Sequence, residues 1–366
     1  MVKHLLWEDM SYFRFHKLLL MSQKECHSKI QVINFKNIKM RNKNFIKYIG
    51  ALSLLSAVTI SCEDSIDKDN PAIPYASIGG YQSSDDIASG NLIAKLSFEN
   101  NLNDKINNIT GQMPVGIAYA TGAKGMAYNG SSTVMRYSVA NASNAITGIN
   151  GSFTLAFWLK SDGTVDPATP GQGKGAQGIF SIVRPTEFWG GINLFIENPN
   201  ASKPDRIRLK LGVETSNSSV AWKGQSVIAN LDGYKGKWVH VVFAYDAATS
   251  KCYVYQNGEA AKNLDGFAYS PAGGELGGAA TWYANDPGGA TNPNNAAGYG
   301  NFLMAGTNGK VVFGSHQFET VPPLNNGSQQ DWATSFAGQL DEFRMYNIAL
   351  KASDVIALYK LEKDNR

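Results

Sequence analysis

Few residues in this 366-residue chain stand at spacings that could carry out a reaction. Hydrolysis of a glycosidic bond needs two carboxyl groups facing each other across it. Asp341 and Glu342 are adjacent, so on a strand they point to opposite faces and cannot form that pair. Glu197 and Glu214 stand alone, and Glu259 and Glu275 fall in loops. His240 and His316 have no metal-ligand or triad partner at a recognisable spacing. His240, inside an apolar run, reads as a satisfied core histidine. No glycine-rich phosphate loop opens a helix, and the residues predict no enzyme.

Rings beside amides are more plentiful. Binding a sugar takes apolar faces to stack on its C–H surface and polar groups to bond its hydroxyls. Trp282-Tyr283, followed by Asn285 and Asp286, brings both kinds together within a few residues. Trp189, Trp222, Tyr299 and Trp332 also lie in or beside loops, whereas Trp158 and Trp238 sit in strand patterns that bury them. The predicted ligand site is Trp282, Tyr283, Asn285, Asp286, Trp189 and Tyr299, with a polysaccharide or other glycan as the ligand. The competing reading has these rings cover edges of the fold.

The elements that must position them are strands. From Lys237 to Gly258 the chain reads as a hairpin. Val239, Val241, Phe243 and Tyr245 fall on one side of a period-2 pattern, and Trp238, His240, Val242 and Ala244 on the other. A strand apolar on both sides belongs in the middle of a sheet covered on both faces. Asp246 to Ser250 is the turn and Lys251 to Gln256 the return. Further strands are predicted at 92–98, 115–119, 125–128, 133–139, 153–160, 178–183, 192–197, 207–213, 311–314 and 338–346. Only Ser353 to Lys360 reads as helix, with Ser353 as its N-cap. The segments 263–310 and 317–335 break the rhythm and read as a decorated edge presenting aromatic and amide groups.

Four stretches, in order, resemble the laminin-G-like, concanavalin A-like jelly-roll domain. They are LIAKLSFENNLNDKINN near Leu92, GSFTLAFWLKSDG from Gly151, the W-x-H-V-x-x-x-Y-D hairpin from Trp238, and GQLDEFRMYNIALKASDVIALY from Gly338 to Tyr359. The resemblance implies an all-β, two-sheet antiparallel β-sandwich with a short C-terminal helix, spanning residues 91–362. One fold hosts many activities, so it says little about function. Hydrolases that resemble the laminarinase family on this fold carry E-x-D-x-x-E on one strand, and that run is absent here. The resemblance also implies a structural Ca²⁺ tying the opening segment to the closing strand, with Asp104 and Asp341 as ligands. Glu99, Asn101 and Glu342 are further oxygen donors for it. Without calcium, Asp104 makes a turn, Asp341 caps a backbone amide and Glu342 is solvated.

The beginning of the chain points to export. Residues 1–39 are basic and patternless and read as a mis-called extension ahead of Met40. Arg41, Lys43 and Lys47 then precede an apolar run, Ile49 to Ile60, that is too short to span a bilayer and suits a signal peptide over 40–61. The ending Thr-Ile-Ser-Cys resembles a bacterial lipobox, which makes Cys62 the acylated first residue of the mature protein. Residues 62–90, polar and carrying Pro71 and Pro74, read as a flexible tether. Asp and Glu behind Cys62 resemble an export tag, so the expectation is an outer membrane lipoprotein at the cell surface, held to the membrane through its lipid alone. Residues 1–61 hold 10 of the 33 Lys+Arg and 3 of the 30 Asp+Glu, leaving 23 against 27, a net −4. The mature protein therefore offers nothing to attract nucleic acid. One cysteine inside the domain, Cys252, allows no disulfide framework and reads as a packing residue. An adhesion or scaffold role with a protein partner is the rival to glycan binding.

Overall fold

The structure, a computed structural model, describes residues 76–164, 175–200, 202–214, 224–266, 278–284, 297–304 and 306–366, with the backbone of 166–169 and 172–173. Cys62, Trp222, Asn285 and Asp286 lie outside the described residues. The domain opens with β1 (Leu92–Leu96), β2 (Ile109–Val115), β3 (Tyr119–Thr121), β4 (Met126–Asn129) and β5 (Tyr137–Ala142). A single helical turn, α1 (Asn144–Thr147), and β6 (Asn150–Gly151) lead into β7 (Phe153–Lys160). Next come β8 (Asp166–Thr169), β9 (Gln172–Gly173), β10 (Ala176–Ile182), β11 (Ile192–Ile196), β12 (Arg206–Glu214) and β13 (Gly224–Asp232). The hairpin is β14 (Val239–Asp246) and β15 (Lys251–Gln256), followed by β16 (Glu259–Ala260), β17 (Leu264–Gly266), β18 (Ala279–Thr281) and β19 (Phe302–Leu303). The chain closes with β20 (Lys310–Phe313), β21 (Ala333–Ser335), β22 (Gln339–Tyr346) and α2 (Ala352–Lys363).

Eighteen of these strands form two sheets packed face to face, an all-β antiparallel sandwich of concanavalin A-like architecture, while β19 pairs with β6 and β8 with β9 apart from them. The first sheet runs β16-β15-β14-β7-β22-β4-β3, with β1 on β22 and β18 on β15. The second runs β17-β13-β12-β11-β10-β20-β5-β2, with β21 parallel to β10. Period-2 alternation builds the core between them. Val239, Val241, Phe243 and Tyr245 of β14 meet Leu209, Leu211, Val227 and Leu231 of the second sheet in one cluster. Phe157 stacks between Phe243 at 6.5 Å and Phe343 at 6.3 Å, a ladder across β14, β7 and β22. Each such side chain contributes about 1.5–3 kcal/mol by leaving water. The other side of β14 is buried too, as expected. Val242 and Ala244 join Ala156 under Val355, Ala357, Leu358 and Leu361 of α2.

That outer face of the first sheet holds a buried ionic cluster. Arg344 donates from Nε to Glu362 of α2 at 2.7 Å, from Nη1 to Asp85 at 2.7 Å, and from Nη2 to Glu342 at 3.0 Å. Burial works against the guanidinium's charge, but the carboxylates around it, Glu362 foremost, outweigh burial and raise its pKa. Lys95 pairs with Asp85 and Glu342. Trp158 Nε1 donates to the second oxygen of Glu362 at 2.8 Å. His240 lies between Trp158 and Tyr359, at 5.2 and 5.9 Å, with Nε2 3.5 Å from Glu362. It is a core histidine, but neither ring nitrogen makes a hydrogen bond. Burial first, then Arg344, push its pKa down to about 3.

Several expectations are corrected. Asp341 and Glu342 do not point to opposite faces. A bulge between the pairs Asp341↔Trp158 and Arg344↔Ala156 puts Glu342 at φ +46° and turns its carboxylate to the outer side, with Arg344. Glu342 is accordingly buried, not solvated. β13, missing from the predicted strands, pairs with β12 along its whole length. Trp238 precedes β14 and is only half-buried. The N-cap of α2 is Lys351, without a side-chain cap. Residues 76–90 are not tether: Ile87 packs under α2, and Ser84 N and Oγ both donate to the carbonyl of Arg366 at 3.3 and 2.6 Å. The Arg366 guanidinium returns bonds to the carbonyls of Gln82 and Ala76 at 3.1 and 3.0 Å. The two ends of the domain are thereby clamped together on the α2 side.

Candidate functional site

The outer face of the second sheet carries no helix among the described residues, and a cavity opens there. With Ile192, Leu194 and Ile196 of β11 turned into the core, Asn193 and Phe195 must face out. Lys210, Gly212 and Glu214 of β12 and Ser226 and Ile228 of β13 share that face. The register places Asn193, Gly212 and Ser226 in one row and Phe195, Lys210 and Ile228 in the next. A Cβ built on Gly212 would meet nothing within 4 Å, so the missing side chain is itself a gap in the floor. Above it lies a half-open cavity of about 410 Å³ walled by Trp189 and Phe195. Their rings are stacked at 5.3 Å and 16°.

Polar groups are set around this apolar wall. Lys210 Nζ lies 5.3 Å from the centre of the Phe195 ring and donates to Glu197 at 2.7 Å. Burial pushes the Glu197 pKa up, but Lys210 outweighs it and holds the carboxyl below its usual value. Glu214 is paired with Arg184. Gln225 Nε2 donates to the Tyr283 carbonyl at 3.0 Å. Asn193 is occupied with the turn before β11, bonding Gly190 N at 3.0 Å and Gly190 O at 2.8 Å. Ser226 Oγ is buried at the cavity and has no hydrogen-bond partner among the described residues. An unmatched buried hydroxyl costs stability unless a ligand or water completes it.

Trp189 also begins an aromatic belt. Phe188 and Phe318 stack at 4.4 Å, His316 stacks on Phe318 at 4.7 Å, and Trp332 lies 6.0 Å from Trp189. His316 is buried with Nε2 3.2 Å from the Ala176 carbonyl, and burial lowers its pKa to about 4.

Of the predicted ligand residues, Trp189 lines this cavity and Tyr283 borders it through its carbonyl. Trp282 does not present its ring to solvent. It is 1% exposed, stacks on Tyr245 at 4.7 Å and 19°, and donates from Nε1 to Ser226 O at 3.2 Å. Its backbone follows β18 and bonds Ser250 O at 2.8 Å, which swings the ring into the core. Tyr299, 3% exposed, packs edge-on against Trp282 at 5.8 Å. Phe195, Lys210, Gly212, Glu214, Gln225 and Ser226 were not anticipated. The available signal was Phe195, an apolar ring on the face opposite three core aliphatics.

The carboxylates expected to hold calcium are engaged otherwise. Asp104 Oδ1 accepts from Lys95 N and Ile106 N at 2.8 and 3.0 Å, and Oδ2 from Asn108 N and Ile109 N at 2.8 and 2.9 Å. Those four bonds use up its lone pairs. Asp341 accepts from Lys124 N at 2.9 Å and Glu342 N at 2.8 Å, and burial raises its pKa to about 7. Glu99 braces the same β3–β4 turn through Met126 N at 3.0 Å. Calcium takes six to eight oxygens from charged or carbonyl donors. Asp104, with four backbone N–H groups on its two oxygens, has no lone pair left for it. Among the described residues, no three or more His, Cys, Asp or Glu side chains gather as a metal would require.

Residues 134–295 match the sequence model of the concanavalin A-like lectin/glucanases superfamily. No curated protein matches the chain. Similar solved structures include the binding domain of Paraclostridial Mosquitocidal Protein 1, 13% identical with a TM-score of 0.46, over 74% of this chain and 52% of that one. Another is the botulinum neurotoxin serotype G binding domain, 14% identical, TM-score 0.45, over 74% and 51%. A third is the binding domain of botulinum neurotoxin DC in complex with SialylT, 11% identical, TM-score 0.43, over 74% and 51%. The chain spans about half the length of these binding domains.

Proposed function

We propose that this protein binds a glycan without transforming it, in the cavity on the outer face of the second sheet. The observation that carries this reading is the Trp189–Phe195 wall standing over the gap at Gly212, with Glu214, Lys210 and Ser226 around it. A sugar laid against that wall stacks on fixed rings, and hydroxyls at its rim reach charged and hydroxyl partners. The reading is non-catalytic because Glu214, paired with Arg184, is the single carboxylate among the described residues lining the cavity, where hydrolysis needs a facing pair. Export and acylation at Cys62 would place the domain at the outer surface of the cell, holding polysaccharide close for an uptake system.

Affinity electrophoresis across a polysaccharide panel tests this, with Trp189→Ala and Gly212→Leu beside the parent. Retardation of the parent that both variants lose is the expected result. Retardation that both retain removes the site, and release of reducing sugar removes the non-catalytic reading. Radiolabelled palmitate incorporation, lost in Cys62→Ser, tests the anchor.

A second reading, a protein-binding scaffold, is favoured by one observation. Ile106, Met113, Val115 and Val134 are exposed apolar side chains, and two of them sit on β2, the edge of the second sheet. Migration unretarded by every polysaccharide would leave this edge as the binding surface.

A further inference from the structure

We infer that the site is built for a linked run of sugars, with one ring in the cavity and the next on the exposed face of Trp332; this rests on the glycan reading above. The cavity, at about 410 Å³, lies near the small end of ligand pockets, which span roughly 300–1,000 Å³. It has room for a short piece of a polymer, so the rest must leave across the rim. On the Trp189 side the rim continues as Trp332, whose ring centre is 6.0 Å from that of Trp189 and tilted by 46°. That separation, about 6 Å, is of the order of one sugar ring, so two linked rings can each reach one of the two indoles.

Trp332 is held as a platform. Its ring touches Phe188 at 6.1 Å and Phe318 at 5.5 Å, and Nε1 donates to Gln330 Oε1 at 3.2 Å. Its carbonyl accepts from Ala176 N at 3.0 Å, and the next residue enters β21 alongside β10. The residue is nevertheless 39% exposed, the only Trp among the large exposed hydrophobics of the described residues. A large ring held by its neighbours and still partly open to solvent loses little freedom when a ligand stacks on it. Trp282, by contrast, has its ring enclosed in the core.

The test is calorimetric titration of the full chain with mono- to hexasaccharide fragments of whichever polysaccharide retards it most. Parent, Trp332→Ala and Trp332→Tyr are compared, with unfolding midpoints measured alongside. In the parent, affinity climbs from the monosaccharide to the di- or trisaccharide and then levels off. Trp332→Ala keeps the monosaccharide affinity and loses about tenfold of the climb, the size of one stacking contact. Trp332→Tyr, which keeps a flat ring, restores most of it. An undiminished climb in Trp332→Ala overturns the inference. So does an equal loss at every length, which would make Trp332 a mere support for Trp189, and so does binding of the polymer with no fragment bound. In each case the carbohydrate reading survives if Gly212→Leu still abolishes retardation. Failure of every glycan to bind removes both.

Discussion

The two outer faces of the sandwich hold the same cast in different circumstances. Each has a tryptophan, a buried histidine and an arginine paired with glutamate: Trp158, His240 and Arg344–Glu362 on the first sheet, Trp189, His316 and Arg184–Glu214 on the second. On the first, α2 lies over the strands and Arg344, Glu362 and His240 have no exposure. On the second, the described residues leave the strands uncovered at the Gly212 gap. Similar chemistry becomes a latch where an element closes over it and stays open where none of the described elements does. Residue type sets what a face can do, and topology decides whether it does it.

If the first face is purely a latch, breaking it must cost stability and spare binding. Arg344→Ala leaves Glu362 buried without its cation, and Glu342 with Lys95 alone, and should cost about 3–5 kcal/mol in urea denaturation. Glycan affinity per folded molecule should not change; a parallel fall in affinity would show that the faces are coupled.

Acid sharpens the comparison next. His240 and His316 are neutral in the fold, with pKa values lowered to about 3 and about 4, while the unfolded chain takes up a proton below about 6.5. Stability contributed by each is full above pH 6.5 and is lost as pH falls from there towards those values. At pH 5 the loss is about 2 kcal/mol per histidine. Asp341 acts oppositely: raised to about 7, it contributes most in acid and loses that contribution as pH rises through 7. Replacing either histidine by phenylalanine should therefore flatten the change in urea midpoint between pH 7 and 5 by a similar amount on both faces.

Gly212→Leu tests the second face from the other direction. It should lower glycan affinity by at least about tenfold, roughly 1.4 kcal/mol, because it fills the cavity. Its effect on the unfolding midpoint should stay within about 0.5 kcal/mol, since nothing within 4 Å opposes its Cβ. The smallest expected effect is that of a chelator. With Asp104 saturated by backbone N–H groups, the melting temperature should not move.

The sandwich was legible because its central strands repeat with period 2 and are bounded by turn residues. β7 and β15 were predicted with their observed limits, and β14 within two residues at either end. β13 was not legible because Gln225, Ser226 and Asn230 dilute its apolar alternation, and its burial comes from pairing with β12. The Asp341–Glu342 geometry hid in a bulge, which shifts the alternation by one residue without changing composition. The site was half visible. Trp189 stood out as a ring near a loop, but Trp282 stood out in the same way and proved to be core. Nothing local distinguishes them: Trp282 is enclosed by Tyr245 and Tyr299, residues 37 positions before it and 17 after it. Gly212 was invisible for a related reason, since a gap is a property of three strands in register.

The clamp between Arg366 and the stretch from Ala76 to Ser84 fixes how the domain is offered to its surroundings. Both chain ends leave from one corner, on the helix-covered side, while the aromatic belt lies on the far side. A fluorescent protein fused after Arg366 would sit on the helix-covered side and leave the face with the Gly212 gap clear.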